Sequence, residues 1–519
     1  MSVSFDKKAD GAARRQARIQ KEQKEKKKIR IITISVVTVL VLLFAGALFL
    51  NSKYARRNLD ALTIGGVKFT AVDFDYFYNA SYQQFRKSMT DQWGDYADSL
   101  LPDPEKSLSS QVYDPNTGET WAEFFVDYAM KQMTETVQYY NAAKEAGYVL
   151  PDEERTAMDN DITEFKQYVE LYSTFDSYLQ KLYGMNINES CFRKINEFIN
   201  TANSYCEYKH DSFSYNAGTI ADYYLENSDM LDIYTYRYFL VNMETVTESD
   251  YENTDEYEAA KEAALNEASE RAALIAADIE TEDDFINAAR EYNETSYEDP
   301  DSTLHSYPGS WLGSYYGPWM RDNVHEYGDI TTSDMSNGTY IVFFIGRDDN
   351  SYRMTEMRQI LISRGAVDPD DYDEGENDPA YIEAVEAADT EARERAENTY
   401  NTFIDGGATE ALLIDMLEDY SDDKTEGGFY DQISKDGNQN KMVPEIEDWL
   451  FENGRAYGDY ALIRTADYGY HLVFFMGYGE KYSDFLADHE MRDKDYSAWK
   501  EGLPEAEAVR HWAFTLTQH

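Results

Sequence analysis

Residue types that commonly carry out chemistry are few in this sequence or are spaced wrongly for it. Cys191 and Cys206 are the two cysteines; if one helix carries both, fifteen residues at about 1.5 Å each place them about 22 Å apart, too far for a disulfide. The acidic run from Asp368 to Asp378 has the composition of a calcium loop but lacks the EF-hand spacing, with Gly sixth and Glu twelfth. The sequence therefore predicts a solvated acidic loop there, no metal site and no cofactor.

One stretch near the C-terminal end, from Glu426 to Tyr478, combines polar and apolar residues in an ordered way. It opens on the turn Gly427-Gly428, and Pro444 follows in the first turn of a predicted helix. Two segments after that helix, Tyr460 to Thr465 and Tyr470 to Met476, are separated by a short turn and predict a β-hairpin. The predicted helix carries apolar residues at helical spacing, namely Ile446, Trp449 and Leu450.

The same stretch resembles the C-terminal half of a parvulin-type peptidyl-prolyl cis-trans isomerase domain. That family has a Gly-Gly turn, a Met a few residues before a Pro-aromatic-Glu-Asp helix, a Gly-Asp or Gly-Glu turn, and a closing Gly-Tyr-His strand. The corresponding residues here are Gly427-Gly428, Met442, Pro444 to Asp448, Gly458-Asp459 and Gly469-Tyr470-His471. Each piece is common, and the ordered set is more specific than any of its parts.

The resemblance implies a chemistry that needs neither a nucleophile nor a metal. Rotation about an X-Pro bond meets a barrier of about 20 kcal/mol, and its catalysis needs an apolar pocket for the proline ring and a polar floor that favours the twisted amide. Transferred residue by residue, the family's pattern assigns the catalytic floor to Asp423, His471 and Gln359, and substrate binding to Met442, Ile446, Tyr430 and Tyr468.

Two of these residues depart from the family's pattern. Gln359 stands where the first His belongs, although its amide still donates and accepts hydrogen bonds. Ile446 replaces the pocket aromatic and fills less of a pocket for a proline ring. Slow or selective isomerase activity is therefore expected. Without the surrounding motif, His471 would be more typical of a hydrogen-bonded core histidine than of a catalytic residue.

An internal repeat extends the resemblance toward the N-terminus. Tyr236 to Val241 matches Met357 to Ile362 at an offset of 121 residues. Asn337 to Gly346 matches Tyr468 to Gly477, with a shared Val-Phe-Phe core. Two modules of one fold are therefore predicted.

The first module, residues 230–348, departs further from the parvulin pattern than the second, residues 352–480. Tyr238 and Tyr340 stand at its two His positions, so the polar floor is lost while the apolar pattern is kept. It resembles a degenerate parvulin domain with a structural or client-binding role. Each module is expected to form a small antiparallel sheet with helices.

The N-terminal segment is typical of a membrane anchor. Residues 1–30 carry eleven basic and four acidic residues, and residues 31–50 form an uncharged apolar run that is long enough to cross a bilayer. The positive-inside rule predicts a cytoplasmic basic tail and an extracellular body that begins after Asn51. A cleaved signal peptide is the alternative, which the long polar leader and the length of the apolar run disfavour.

The chain beyond residue 50 is strongly acidic and aromatic. It holds 36 basic against 95 acidic residues, a net charge of −59. Such a field repels nucleic acid, which is excluded as a partner. The aromatic fraction of the whole chain, 15%, argues against disorder despite the charge.

Residues 58–229 are predicted to form a helical domain. A hairpin with Gly65-Gly66 at its turn and a helix capped by Thr70 open it. Apolar stripes predict a helix that begins at Trp121 and another that runs from Pro151 to Leu182. The opening resembles the N-terminal domain of SurA- and PrsA-like foldases, in which such helices form a cradle for unfolded clients. Residues 481–519 are predicted to be a helical tail.

These features together predict an α+β protein with an N-terminal transmembrane helix, an α-helical chaperone-like domain and two tandem parvulin-like domains. The resemblance implies a membrane-anchored foldase that isomerises X-Pro bonds in unfolded or proline-containing secreted polypeptides. The alternative is a catalytically inactive parvulin-fold chaperone or scaffold. Asp423, Met442 and His471 favour the enzyme, whereas Gln359 and Ile446 favour the scaffold. The oligomeric state stays open.

Overall fold

The protein, seen here in a computed structural model, is described over residues 3–50, 52–322, 324–435 and 439–518. Helices and small antiparallel sheets are mixed along the chain. The contacts define two compact units: unit 1 is formed by residues 1–213 with 494–519, and unit 2 by residues 214–493.

The helices are α1 (Val3–Leu50), α2 (Lys53–Asn58), α3 (Ala71–Trp93), α4 (Ala97–Leu100), α5 (Trp121–Glu145), α6 (Asp152–Glu170), α7 (Phe175–Tyr183), α8 (Glu189–Asp211), α9 (Ala217–Glu226), α10 (Ser228–Leu231), α11 (Thr254–Ala277), α12 (Glu282–Tyr292), α13 (Gly317–Met320), α14 (Pro379–Asp405), α15 (Glu410–Tyr420), α16 (Pro444–Leu450) and α17 (Tyr482–Glu501). The strands are β1 (Asp60–Ile64), β2 (Val67–Thr70), β3 (Val112–Asp114), β4 (Glu119–Thr120), β5 (Ile233–Asn242), β6 (Leu304–Pro308), β7 (Ile330–Met335), β8 (Gly338–Asp348), β9 (Arg353–Ser363), β10 (Phe429–Ile433), β11 (Tyr460–Thr465), β12 (Gly469–Lys481) and β13 (Ala508–Arg510).

Helix α1 contains the predicted membrane segment. Its part from Lys26 to Leu50 is long enough and apolar enough to cross a membrane, by length and composition. The large apolar side chains of this part, such as Leu42 and Phe44, are exposed. An apolar helix that buries none of these side chains against protein is suited to a lipid environment.

Unit 1 is built from capped amphipathic helices around one core. The hairpin of β1 and β2 turns at Gly65-Gly66, and Thr70 then caps α3 in a capping box with Asp73. The same device starts α5, where Thr120 and Glu123 form the box. Core side chains from α3, α5, α6, α7 and α8 pack together. The predicted hairpin and both predicted helix starts are present.

One predicted helix of unit 1 is two helices. The apolar stripe from Pro151 to Leu182 was expected to be continuous, but α6 ends at Glu170 and α7 begins at Phe175. Thr174 is the N-cap of α7, and its hydroxyl accepts a hydrogen bond from the Ser177 N–H. A polar side chain that caps a new helix favours ending the preceding one. The spacing of apolar residues alone gives no indication of this break.

The C-terminal tail is helical only as far as Glu501. Residues of β13 pair antiparallel with β1, and the sheet order is β13-β1-β2. The Gln518 N–H donates to buried Asp75 at 2.7 Å, and Arg56 donates to the Leu516 carbonyl. The part of the tail from Lys494 onward therefore belongs to unit 1, whereas the part before it belongs to unit 2.

Unit 2 contains two four-stranded antiparallel sheets with the same strand order. The first sheet runs β6-β5-β8-β7 and the second runs β10-β9-β12-β11. The register agrees as well, because Tyr238 pairs with Val342 and Gln359 pairs with Val473. The internal repeat in the sequence therefore corresponds to a repeated sheet topology.

A repeated ion pair braces each sheet against the start of a helix. Arg237 donates to Glu282 at 2.7 Å, and Arg358 donates to Glu410 at 2.8 Å. Each glutamate is the first residue of its helix, α12 or α15, where a negative charge is also favoured by the helix dipole. In the second sheet the Tyr457 hydroxyl joins the same glutamate at 2.7 Å. The side of each sheet that carries this ion pair is here called its helix face.

The opposite side of the second sheet, here the site face, is covered by α16. Buried side chains of β9 and β12, Met357, Val473 and Phe475, pack there against Ile446 and Leu450. The helix face instead packs residues such as Ile360 and Leu472 against α14 and α15. Because side chains alternate along a strand, Gln359 and His471 share the site face with Met357 and Val473.

Candidate functional site

The three predicted floor residues are joined by hydrogen bonds on the site face. The Nδ1 atom of His471 lies 2.8 Å from Oε1 of Gln359, and Nε2 of Gln359 lies 2.9 Å from Oδ2 of Asp423. These residues are 112 and 64 positions apart in the chain. The central strands β9 and β12 supply the first two, and the segment after α15 supplies Asp423.

That segment is fixed to the C-terminal end of β9. The Asp422 N–H donates to the Leu361 carbonyl at 2.8 Å, and the Leu361 N–H donates to the Ser421 hydroxyl at 3.2 Å. Ser421 is itself buried. The carboxylate of Asp423 is thereby held next to Gln359 by backbone pairing rather than by a flexible loop.

The donors and acceptors of this chain determine the tautomer of His471. An ionised Asp423 accepts only, so Gln359 must turn its amide NH₂ toward it and its carbonyl toward His471. The Nδ1 atom of His471 must then carry a proton and donate it to the Gln359 carbonyl. The other ring atom, Nε2, accepts from the Thr465 hydroxyl at 3.2 Å, a hydroxyl that also lies 3.4 Å from the Gly469 carbonyl.

Burial leaves the His471 end of the chain neutral, and hydrogen bonding keeps the Asp423 end negatively charged. Burial lowers the pKa of His471 to about 4, against smaller opposing effects of Asp423 and Glu445, and the residue is 4% exposed. For Asp423, burial acts to raise the pKa, but hydrogen bonds from Tyr430, Thr425 and Gln359 outweigh it and hold the pKa below the ordinary value. At neutral pH the site therefore holds a neutral imidazole and a carboxylate.

Tyr430 and Thr425 complete the accessible end of the site. The Tyr430 hydroxyl donates to Oδ2 of Asp423 at 2.7 Å, and the Thr425 hydroxyl donates to Oδ1 at 2.8 Å. The two hydroxyls lie 2.9 Å apart. Asp423 and Tyr430 are both half-buried, unlike Gln359 and His471. A ligand that approached this face would therefore meet the Asp423 end, whereas His471 is linked to Asp423 only through Gln359.

The apolar part of the site lies beside this polar chain. Met442 and Tyr430 are half-buried and pack against the same core cluster as Ile446. Ile446 is 1% exposed and belongs to the core beneath α16. Pro444 is the first residue of α16, so Met442 lies in the segment just before the helix begins. Of the two residues predicted to line the proline pocket, Met442 and Ile446, Met442 is thus the accessible one.

Tyr468 lies at the hairpin between β11 and β12. Its ring meets His471 edge-on, with 6.4 Å between centroids, and the side chain is exposed. The structure therefore brings all seven predicted site residues to one face of one sheet. Thr465 and Thr425 belong to the same network, and no sequence motif indicated either of them.

The first sheet carries an aromatic cluster at the equivalent place. Tyr238 and Tyr340 occupy the positions of Gln359 and His471, with 5.3 Å between ring centroids. The ring of His305 stacks on Tyr238 at 4.3 Å. No sequence motif indicated His305, whose place in the repeat becomes visible only in the sheets: His305 pairs with Tyr236 as Tyr430 pairs with Met357.

Comparisons with known proteins add little beyond this geometry. The chain matches no protein-family model and no curated protein. It is similar to the crystal structure of PrsA from Bacillus subtilis at 15% identity, over 55% of this chain and 91% of that chain, with a TM-score of 0.14. At that TM-score the two molecules do not superpose over their length, and the likeness by itself decides neither fold nor activity.

Proposed function

We propose that the protein is a membrane-anchored, extracytoplasmic foldase that isomerises X-Pro bonds with the site face of its second sheet. The observation that supports this most is the hydrogen-bonded chain from Thr465 through His471 and Gln359 to Asp423, beside half-buried Met442. The match of these residues to the parvulin pattern in the sequence supports the same reaction. Proline-containing secreted polypeptides would be the substrates.

The chemistry follows from what a twisted amide needs. Rotation breaks the conjugation of the amide, so a site that binds the rotated form more tightly than the planar one accelerates exchange. Met442 offers the apolar contact for the proline ring. The Asp423 carboxylate and the Tyr430 hydroxyl offer polar groups at the accessible end. Because Gln359 and His471 are buried and hydrogen-bonded to each other and to their neighbours, these polar groups are held in place before the substrate arrives.

A second candidate function is binding of unfolded chains without isomerisation. The burial of Ile446 favours it, because a fully packed side chain offers no surface to a proline ring. Unit 1 also holds a cavity of about 430 Å³ whose lining mixes aromatic side chains, such as Phe69, Tyr140 and Phe198, with charged ones, such as Arg155 and Lys194. A cavity of this size and mixed lining could accept one or two large side chains of an extended client.

The test is the rate of cis-to-trans exchange in a chromogenic Xaa-Pro-Phe peptide, measured without protease on the full chain in detergent micelles. Wild type is expected to exceed the uncatalysed rate. Met442→Ala should lower kcat/KM about ten-fold or more, because it removes the apolar contact. Tyr430→Phe should lower it by a smaller factor, because it removes a single hydroxyl next to Asp423.

Ile382→Ala is the matched control for Met442→Ala, since Ile382 is an exposed apolar residue of α14 in the same module. It should isomerise as wild type does. If wild type does not exceed the uncatalysed rate, the binding protein is the better description. In that case the variant Gln359→His, which restores the family's first His, should be assayed as well. A gain of isomerase activity in this variant would show that Gln359 is what inactivates the site, whereas no gain would show that the site face lacks more than this one residue. Variants that isomerise as fast as wild type would remove Met442 and Tyr430 from the site.

A further inference from the structure

The site face of the first sheet presents a continuous strip of aromatic rings. Trp311 lies 6.2 Å from Tyr307, Tyr307 lies 6.0 Å from His305, and His305 stacks on Tyr238 at 4.3 Å between centroids. Tyr340 closes the row at 5.3 Å from Tyr238. These five residues are here called the aromatic strip. It occupies the place that the polar chain occupies in the second sheet.

The aromatic strip is open to solvent. Trp311 is 73% exposed and Tyr307 is 39% exposed, while Tyr238 and Tyr340 are half-buried. Below the strip, Tyr236 and Tyr316 are buried, and their hydroxyls lie 3.1 Å apart. The buried tyrosines thus satisfy each other and support the rings above them, whereas the outer rings are free to contact a ligand.

Two hydroxyl donors of the strip are left for a ligand. Within the described part of the chain, neither the Tyr238 hydroxyl nor the Tyr340 hydroxyl forms a hydrogen bond to another residue. Ring faces flanked by phenolic donors suit a ligand that has apolar rings and unpaired carbonyl groups. A polyproline II segment has both, because its backbone makes no internal hydrogen bonds and proline rings project from it.

Charge narrows the choice of ligand further. Burial lowers the pKa of His305, with a smaller contribution from Arg237, so the strip itself is neutral at neutral pH. The segment that leads into β6 carries exposed Glu298, Asp299 and Asp301. The chain beyond residue 50 also carries a net charge of −59. A neutral aromatic surface on such an acidic body favours a proline segment with flanking Lys or Arg over one with acidic flanks.

We propose that the aromatic strip binds basic, proline-containing segments in the polyproline II conformation and holds them without isomerising them. This goes beyond the proposed isomerase, because it assigns a separate binding site to the first module. Aromatic-lined grooves are a recurring way to recognise this conformation, since the ligand is already extended and loses little entropy on binding.

The experiment is a fluorescence-polarisation titration of the full chain in detergent micelles with a labelled oligoproline flanked by lysines. Two comparison peptides have the same length: a Gly-Ser peptide with the same lysines, and an oligoproline flanked by glutamates. The lysine-flanked oligoproline is expected to bind more tightly than either. Trp311→Ala should weaken its binding about three-fold to ten-fold, because it removes a stacking surface. Tyr340→Phe should weaken it while keeping the ring.

Trp512→Ala is the matched control, because Trp512 is also an exposed tryptophan and lies in unit 1; it should leave the affinity unchanged. Met442→Ala reports on binding at the second sheet. If Met442→Ala abolishes binding and Trp311→Ala does not, the strip is not the site. Equal affinity for the Gly-Ser peptide, or unchanged binding in both strip variants, would also overturn the proposal. These readouts do not depend on whether the second module isomerises.

Discussion

At the scale of single residues, His471 shows how a buried network fixes a protonation state. Its ring is 4% exposed and bonded at both nitrogens, to Gln359 and to Thr465. A protonated ring would add a charge in a place where water cannot solvate it. The network therefore depends on a neutral His471, and folding becomes linked to pH.

The prediction is that acid destabilises the second sheet through His471. The folded-state pKa of about 4 lies below the ordinary histidine value of 6.5, so between these pH values the unfolded chain binds a proton that the folded chain does not. The contribution of His471 to the free energy of unfolding is therefore fully present above its unfolded-state pKa. It is lost as the pH falls from that value toward the folded-state pKa. Between pH 7 and pH 5 the loss should be about 2 kcal/mol.

The measurement compares urea unfolding of wild type and His471→Gln at both pH values. Other titrating groups affect both proteins alike, so the difference between them isolates His471. The difference in unfolding free energy should become smaller as the pH falls, because only wild type loses the histidine's contribution. An identical pH dependence in the two proteins would show that His471 is accessible to protons in the folded state.

At the scale of elements, strands β8 and β12 of the two four-stranded sheets each begin with a glycine that packs closely against the neighbouring strand. A Cβ atom on Gly469 would lie 2.5 Å from the Ile362 carbonyl of β9. The φ angle of Gly469 is +119°, in a region that other residues rarely adopt. At Gly338 a Cβ atom would lie 2.3 Å from the Val241 carbonyl. Both glycines allow the hairpin to close against the central strand.

Gly469→Ala is therefore expected to destabilise unit 2 by roughly 2–4 kcal/mol, since both the close contact and the backbone angle must be relieved. The change lies two residues from His471 and should also lower the proposed isomerisation. Thermal unfolding of the full chain measures the first effect. Gly346→Ala is the control, because a Cβ atom there meets nothing within 4 Å. Equal melting temperatures for the two variants would contradict the close-packing argument.

At the scale of the whole molecule, charge and hydropathy are strongly divided along the chain. Basic residues precede the apolar part of α1, and the body beyond it carries a net charge of −59. Lys53, Arg56 and Arg57 are the few cations that follow closely. This asymmetry predicts that the N-terminus stays in the cytoplasm and that the acidic body lies outside.

Protease added to intact cells should accordingly degrade the body and spare an N-terminal fragment that includes the basic segment. A cytoplasmic marker protein, protected until the cells are lysed, is the control for membrane integrity. Replacing Lys26, Lys27, Lys28 and Arg30 with glutamine should allow a fraction of the chains to insert the other way, which the same assay detects as protected body. A body that resists protease in intact wild-type cells and is cut only after lysis would reverse the predicted orientation.

The sequence determined those features that depend on neighbours in the chain. Local pattern predicts the apolar run of α1, the helix cap at Thr70, the turn at Gly65-Gly66 and the internal repeat, and the structure contains each of them. Hydropathy, capping and turn chemistry act over a few residues, so a single sequence is enough to locate them.

Tertiary structure alone decided which residues meet and which are covered. Alternation along a strand places Gln359 and His471 on one face, but only the pairing of β9 with β12 brings their side chains to 2.8 Å. The packing of α16 made Ile446 core rather than surface. The short strand β13 exists because β1 pairs with it across more than four hundred residues. Such contacts are set by the register and packing of distant segments, for which the local sequence carries no signal.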